Sequence, residues 1–154
     1  RVYCAKNILM AESEVLKYIL NLVQLNRVEN EAEYEPGYSG LREGPYRMLH
    51  RNAVTILANC LEVMEELDKL ANVINALPEL TSDATIKELV NDVSVAANKP
   101  HDAAAACRCL HALCKDESTK QLVLELGANN CLSVAAECRH AALEEECCKL
   151  SRVL

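Results

Sequence analysis

Phenylalanine and tryptophan are absent from this chain, and five tyrosines supply its whole aromatic content of 3%. A broad ring-lined pocket is therefore not expected, because small-molecule sites are lined mainly by large apolar and aromatic side chains. Glycine and proline are also scarce, four of each, and most fall between residues 36 and 45. The segments on either side are free to run as long periodic elements. Basic charge is in deficit: 16 Lys and Arg against 23 Asp and Glu leave a net charge of -7. That balance opposes nonspecific attraction to nucleic acid or anionic lipid, which needs clustered cations. No run approaches the roughly 18 apolar residues of a membrane span, and between Ile8 and Val28 the pattern is broken by Glu12, Glu14, Lys17 and Arg27. No secretory signal pattern is visible. The expectation is a cytoplasmic chain with no nucleic-acid partner and no membrane span.

What is present is 51% apolar, drawn mainly from Leu, Ala, Val, Ile and Cys. Such a composition suits closely packed helices. A length of 154 residues allows one domain, or about three stacked units of about 40 to 47 residues. Nine cysteines lie mostly inside periodic segments, and Cys107 and Cys114 are too far apart along one helix to bond. They read as free thiols packed as small apolar side chains in a reducing compartment. Zinc binding or redox chemistry is the competing use. The spacing of Cys131, Cys138, His140, Cys147 and Cys148 does not match a pair of Cys-x-x-Cys knuckles.

Helical periodicity organises the chain. Residues 3–28 read as a first helix carrying Ile8, Ala11, Val15, Tyr18, Ile19, Leu22 and Leu25. Residues 29–45 lack periodicity and read as a loop or mobile insertion, a solvated connection or a tyrosine-bearing contact for a partner. From Tyr46 to Leu77 the pattern fits two helices or one bent one, closed by Pro78. Thr81, Ser82 and Asp83 supply capping side chains for a helix carrying Ile86, Leu89, Val90, Val93, Val95, Ala96 and Ala97. After Pro100 an Ala-rich helix runs from His101 to Cys114. Asp116, Glu117 and Ser118 cap a short helix over 119–126, Gly127 ends it, and a further helix covers 130–139. Residues 140–142 lead into a final helix that reaches Leu154.

That final helix repeats an earlier one. Cys107, Leu110 and Leu113 match Cys147, Leu150 and Val153 forty residues on, so one apolar stripe is written twice. Lys120 to Leu132 places a Glu125-Leu126-Gly127-Ala128 corner between two helices. There Gly permits a left-handed turn and Ala keeps the corner tight. Residues 101–154 thereby resemble the armadillo repeat family, and Asn52 to Cys60 is similar to an earlier third helix of such a repeat. The resemblance implies an all-α fold, a right-handed α-solenoid of about three repeats with the first ones degenerate. It also implies that residues 1–154 are one helical domain from a longer solenoid, with further repeats or a partner covering the C-terminal helix.

In armadillo proteins the third helices line a groove where a Trp and an Asn one turn apart hold extended peptides. Here Thr55, Arg108 and Cys148 fall at the tryptophan position, and Asn59, Ala112 and Arg152 at the asparagine position. Only Asn59 matches, so recognition of nuclear import signals is not expected. The residues of the groove face themselves point elsewhere. His101, Arg108, His111 and Lys115 fall on the side of their helix away from Leu110 and Leu113, together with Ala112. Lys149 and Arg152 take the corresponding side of the last helix. This strip of cations suits an acidic or phosphorylated segment of a protein partner, although helix-end cations also serve ordinary solvation.

No Gly-rich phosphate loop, nucleophile elbow or His-Glu-x-x-His pair occurs. His50 and Arg51 read as the start of a helix, and Glu65-Glu66 and Glu144-Glu145-Glu146 as solvated faces. The expectation is a non-enzymatic scaffold or adaptor without a cofactor, in a cytoskeletal, ciliary or trafficking assembly. Two alternatives stand beside it: a vinculin- or talin-like bundle binding a cytoskeletal partner, and a thiol sensor or zinc protein.

Overall fold

Helix starts follow the proline and capping residues in the computed structural model, which describes residues 13–24 and 45–154. In chain order the elements are α1 (Ser13–Gln24), α2 (Pro45–Glu66), α3 (Leu70–Ala76), a 3₁₀ turn (Pro78–Thr81), α4 (Asp83–Ser94), α5 (Pro100–Leu113), α6 (Glu117–Glu125), α7 (Ala128–Ala136) and α8 (Ala141–Val153). Among the described residues there is no strand, and the fold is all-α. Pro100 opens α5, where its missing N–H costs nothing. Ser82 caps α4 by accepting from the Thr85 N–H, and Asp116 caps α6 by accepting from the Thr119 N–H. Gly127 sits at φ 79° between α6 and α7, a left-handed corner that side chains with a Cβ disfavour.

The structure sharpens the periodicity reading: 46–77 is two helices, one of its two readings, while the helix expected to reach Ala97 stops at Ser94 and the one expected over 130–139 is Ala128–Ala136. Of the helix expected over 3–28, the part within the described residues is Ser13–Gln24; the loop expected over 29–45 lies outside them except for Pro45, which begins α2. The run 46–77 divides into α2 and α3 at Asp68, which adopts φ 55°. There the Lys69 N–H reaches back to the Met64 carbonyl (2.8 Å) and the Asp68 N–H to the Glu65 carbonyl (3.0 Å). This is a left-handed helix cap made by Asp, one of the few residues that tolerates it besides Gly. Further on, α4 stops at Ser94 and Val95–Asn98 form a turn, after which Pro100 holds Lys99 outside the helical region at φ −142°. Ala96 remains buried in that turn.

Packing centres on α5. It lies between α2 and α8 and also rests on α4; α4 in turn touches α1 and α7, α1 packs on α2, and α7 on α8. A helix enclosed on several sides must be apolar around most of its circumference. The run Ala103–Ala106 meets that demand with side chains small enough for close approach, and all four are buried. Ala112, expected on the outward face, is 1% exposed for the same reason. Cross-helix pairs fix the directions: Arg51 with Asp102, Asn59 with Arg108 and Glu65 with Lys115 advance together, so α2 and α5 run the same way. His101 with His140 and Cys107 with Cys147 do the same for α5 and α8.

Candidate partner-binding surface

The exposed sides of α2, α5 and α8 meet in a row of charged and amide side chains. On α2, Thr55, Asn59 and Glu62 follow helical spacing and are exposed. Thr55 is turned to its own helix, its hydroxyl donating to the Arg51 carbonyl (3.1 Å). Asn59 and Glu62 instead meet Arg108 of α5. Arg108 donates through Nε and Nη2 to the two oxygens of Glu62, both at 2.6 Å, and through Nη2 to Asn59 Oδ1 at 2.8 Å. This two-pronged pairing matches the planar guanidinium to a carboxylate and locks the side chain's direction. The Arg108 hydrogen bond, against the smaller effect of partial burial, holds the Glu62 carboxyl below its ordinary pKa, with help from Lys149 and His111.

The row continues in both directions. Lys115, at the end of α5, pairs with Glu65 of α2. Lys149 of α8 donates to Glu146 (2.9 Å) and pairs with Glu145 (2.8 Å), and these carboxylates raise its pKa. Glu146 also acts on Arg108 through its charge, and Lys149 on Glu62, so the charges of α8 are felt by the α2–α5 pair without an ion pair between them among the described residues. At the other end His101 is exposed, its ring meeting that of His140 edge-on at 4.5 Å. His111 is half-buried and near Glu62. Arg152 is exposed and forms no ion pair among the described residues.

The structure therefore brings Asn59, Arg108, His111, Lys115 and Lys149 into one surface, with Thr55, His101 and Arg152 at its margins. The cations named from the sequence do not form an unopposed positive strip. Glu62, Glu65, Glu145 and Glu146 neutralise three of them, and a cation-only reading overlooks these partners. Helical spacing on α2 carried the signal, since Glu62 follows Asn59 by three residues on the same face.

Other candidate chemistry is enclosed. His50 lies within α2, 5% exposed; its Nε2 meets Asp92 Oδ2 at 2.7 Å and its Nδ1 the Val23 carbonyl at 2.6 Å. Neither nitrogen is left to act as a base. Cys107, Cys109, Cys114 and Cys147 are buried, while Cys148 is exposed. Burial pushes the Cys114 thiol up to about 11 and also raises Cys109 and Cys60. Cys107 and Cys147 are neighbours, and that proximity together with burial raises Cys107. Among the described residues no three His, Cys, Asp or Glu side chains converge as metal ligands, and no helix is long and apolar enough to cross a membrane. No protein-family model, curated protein or solved structure matches this chain.

Proposed function

We propose that this chain is a non-enzymatic interaction scaffold, an armadillo-like α-solenoid in which α2, α5 and α8 present a groove to an extended segment of a partner protein. The observation that carries this reading is the common direction of those three helices, α2 and α5 joined by the Arg108–Glu62 pair and α5 and α8 in register at Cys107 and Cys147. Same-direction neighbours linked by shorter helices are what stacked helical repeats require. The alternative of an antiparallel bundle is less well supported, because α6 and α7 span nine residues each and bundles need long matched helices. The thiol-sensor reading is weakened by the burial of Cys107, Cys109 and Cys114.

An acidic or phosphorylated segment has two entry points on this surface. Arg152 offers an unpaired guanidinium, and Arg108 offers one that must first exchange Glu62 for the incoming anion. A further repeat or a partner laid over the exposed side of α8 would meet Glu144, Cys148 and Ser151. Placement in the cytoplasm, within a cytoskeletal, ciliary or trafficking assembly, belongs to the same proposal.

The test is a photo-crosslinking residue placed at Asn59 or His111, with Lys87 or Asn91 of α4 as the control face. The groove positions should capture a common partner that the control positions do not. Equal capture from both faces would end this reading. If the captured segment is anionic, Glu62→Gln should strengthen binding by releasing Arg108, and joint reversal of Arg108 and Arg152 to Glu should weaken it.

A further inference from the structure

We infer that the cavity at the far end of the α2 and α5 row receives a partner's aliphatic side chain flanked by Lys or Arg. The cavity has a volume of about 480 Å³, within the usual range of roughly 300 to 1,000 Å³ for ligand sites. Its floor is apolar, made by Leu70, Ala71 and Ile74 of α3, and its rim is acidic.

Three carboxylates stand on that rim and only one cation. Glu65 is matched by Lys115. Asp68 forms no side-chain hydrogen bond or ion pair among the described residues, and its left-handed backbone, φ 55°, fixes it at the corner between α2 and α3. Asp116 takes its three hydrogen bonds, from Ser118 Oγ and from the Thr119 N–H and Oγ1, all on Oδ2. Its Oδ1 takes none of them. Those bonds also hold Asp116 below its ordinary pKa, so the rim is anionic at neutral pH. Helix ends of both polarities converge here, the C-termini of α2 and α5 and the N-termini of α3 and α6. Their dipoles oppose one another, and the side-chain charges decide the preference.

A cation alone would be served by water outside, and an apolar group alone would leave Asp68 and Asp116 facing it without a donor. An aliphatic side chain next to Lys or Arg satisfies both parts. The occupant is taken to be protein rather than a free metabolite because Lys115 and Glu65 belong both to the cavity wall and to the row along α2 and α5. That step rests on the proposed groove. A chain lying along the row reaches the cavity without a turn.

The experiment measures binding of the whole chain to fluorescein-labelled octapeptides with a central Leu flanked by Lys or Arg, beside matched peptides flanked by Glu. The basic set should bind, and Asp68→Asn should weaken it by about tenfold, the worth of one charge-assisted hydrogen bond. Ala71→Trp, which fills the floor from an exposed position, should abolish it, with the circular dichroism spectrum of each variant checked against the parent. Basic peptides that fail to bind, or whose binding neither substitution changes, overturn the inference; Glu-flanked peptides that bind indifferently to both substitutions report on the row and not on the cavity. Basic peptides lost with Asp68→Asn but indifferent to Asn59→Arg would uphold the cavity and sink the groove. A partner crosslinked at Asn59 with no binding of basic peptides would do the reverse.

Discussion

His50 and Asp92 are an ion pair sealed inside the protein, with side chains 6% and 8% exposed and 2.7 Å between Nε2 and Oδ2. Because the other ring nitrogen faces the Val23 carbonyl at 2.6 Å, both nitrogens have acceptors, an arrangement that favours the imidazolium. One side chain thus ties α1, α2 and α4 together.

Stability should therefore depend on pH in a defined direction. Burial alone lowers the pKa of His50, but the Asp92 hydrogen bond and charge, with the Val23 carbonyl and Glu88, outweigh it and raise the value above 6.5. A raised folded value means that the contribution is complete below the unfolded value and fades as pH rises through the folded one. The urea midpoint should fall as pH climbs from about 6.5 upward. Asp92→Asn should cost about 3 kcal/mol at pH 6, as removal of one buried partner does, and less at high pH. A midpoint that rises over this window would mean that His50 is neutral in the folded protein.

Two of the left-handed positions among the described residues, Gly127 and Asp68, should respond alike to alanine. At Gly127 a new Cβ meets nothing within 4 Å, so Gly127→Ala has only its backbone conformation to strain, at a cost of about 1 kcal/mol. Asp68 already occupies such a conformation. Asp68→Gly should leave the thermal midpoint within a degree or two of the parent, while Asp68→Ala lowers it as Gly127→Ala does.

Thiol labelling should follow burial. With maleimide at pH 8, Cys148 should react first among the cysteines of the described residues, and peptide mapping should show Cys107, Cys109 and Cys114 unmodified until denaturant is added. Labelling of Cys109 as fast as Cys148 would show that α5 is not enclosed as described.

Enlarging the wall of α5 should be costly. Ala106 is fully buried in the four-alanine run, so Ala106→Leu should destabilise by about 2 kcal/mol through overpacking, read as a lower urea midpoint at unchanged slope. The same change at exposed Ala136 should be close to neutral.

Local signals in the chain were sufficient for most helix boundaries. Ser82, Pro100, Asp116 and Gly127 act on their immediate neighbours, and the structure uses each of them where capping chemistry puts it. Asp68 escaped notice because its left-handed cap takes the place usually marked by glycine. The apolar stripe through Leu110 and Leu113 was legible, but the burial of Ala112 depends on how many helices surround α5, which no local period encodes. Distance hid the rest. Asp92 is 42 residues from His50, and Glu62 is 46 from Arg108, so charge pairing across helices was invisible while each cation was plain to read.

The touching pair Cys107 and Cys147 occupies equivalent places in the two matching stripes, and this imposes a rule on that place. Residue 107 of α5 is met by residue 147 of α8, so each limits what the other can be. Two lysines would repel, and two leucines would wedge α5 and α8 apart. A small thiol, able both to donate and to accept a weak hydrogen bond, is self-compatible at that contact.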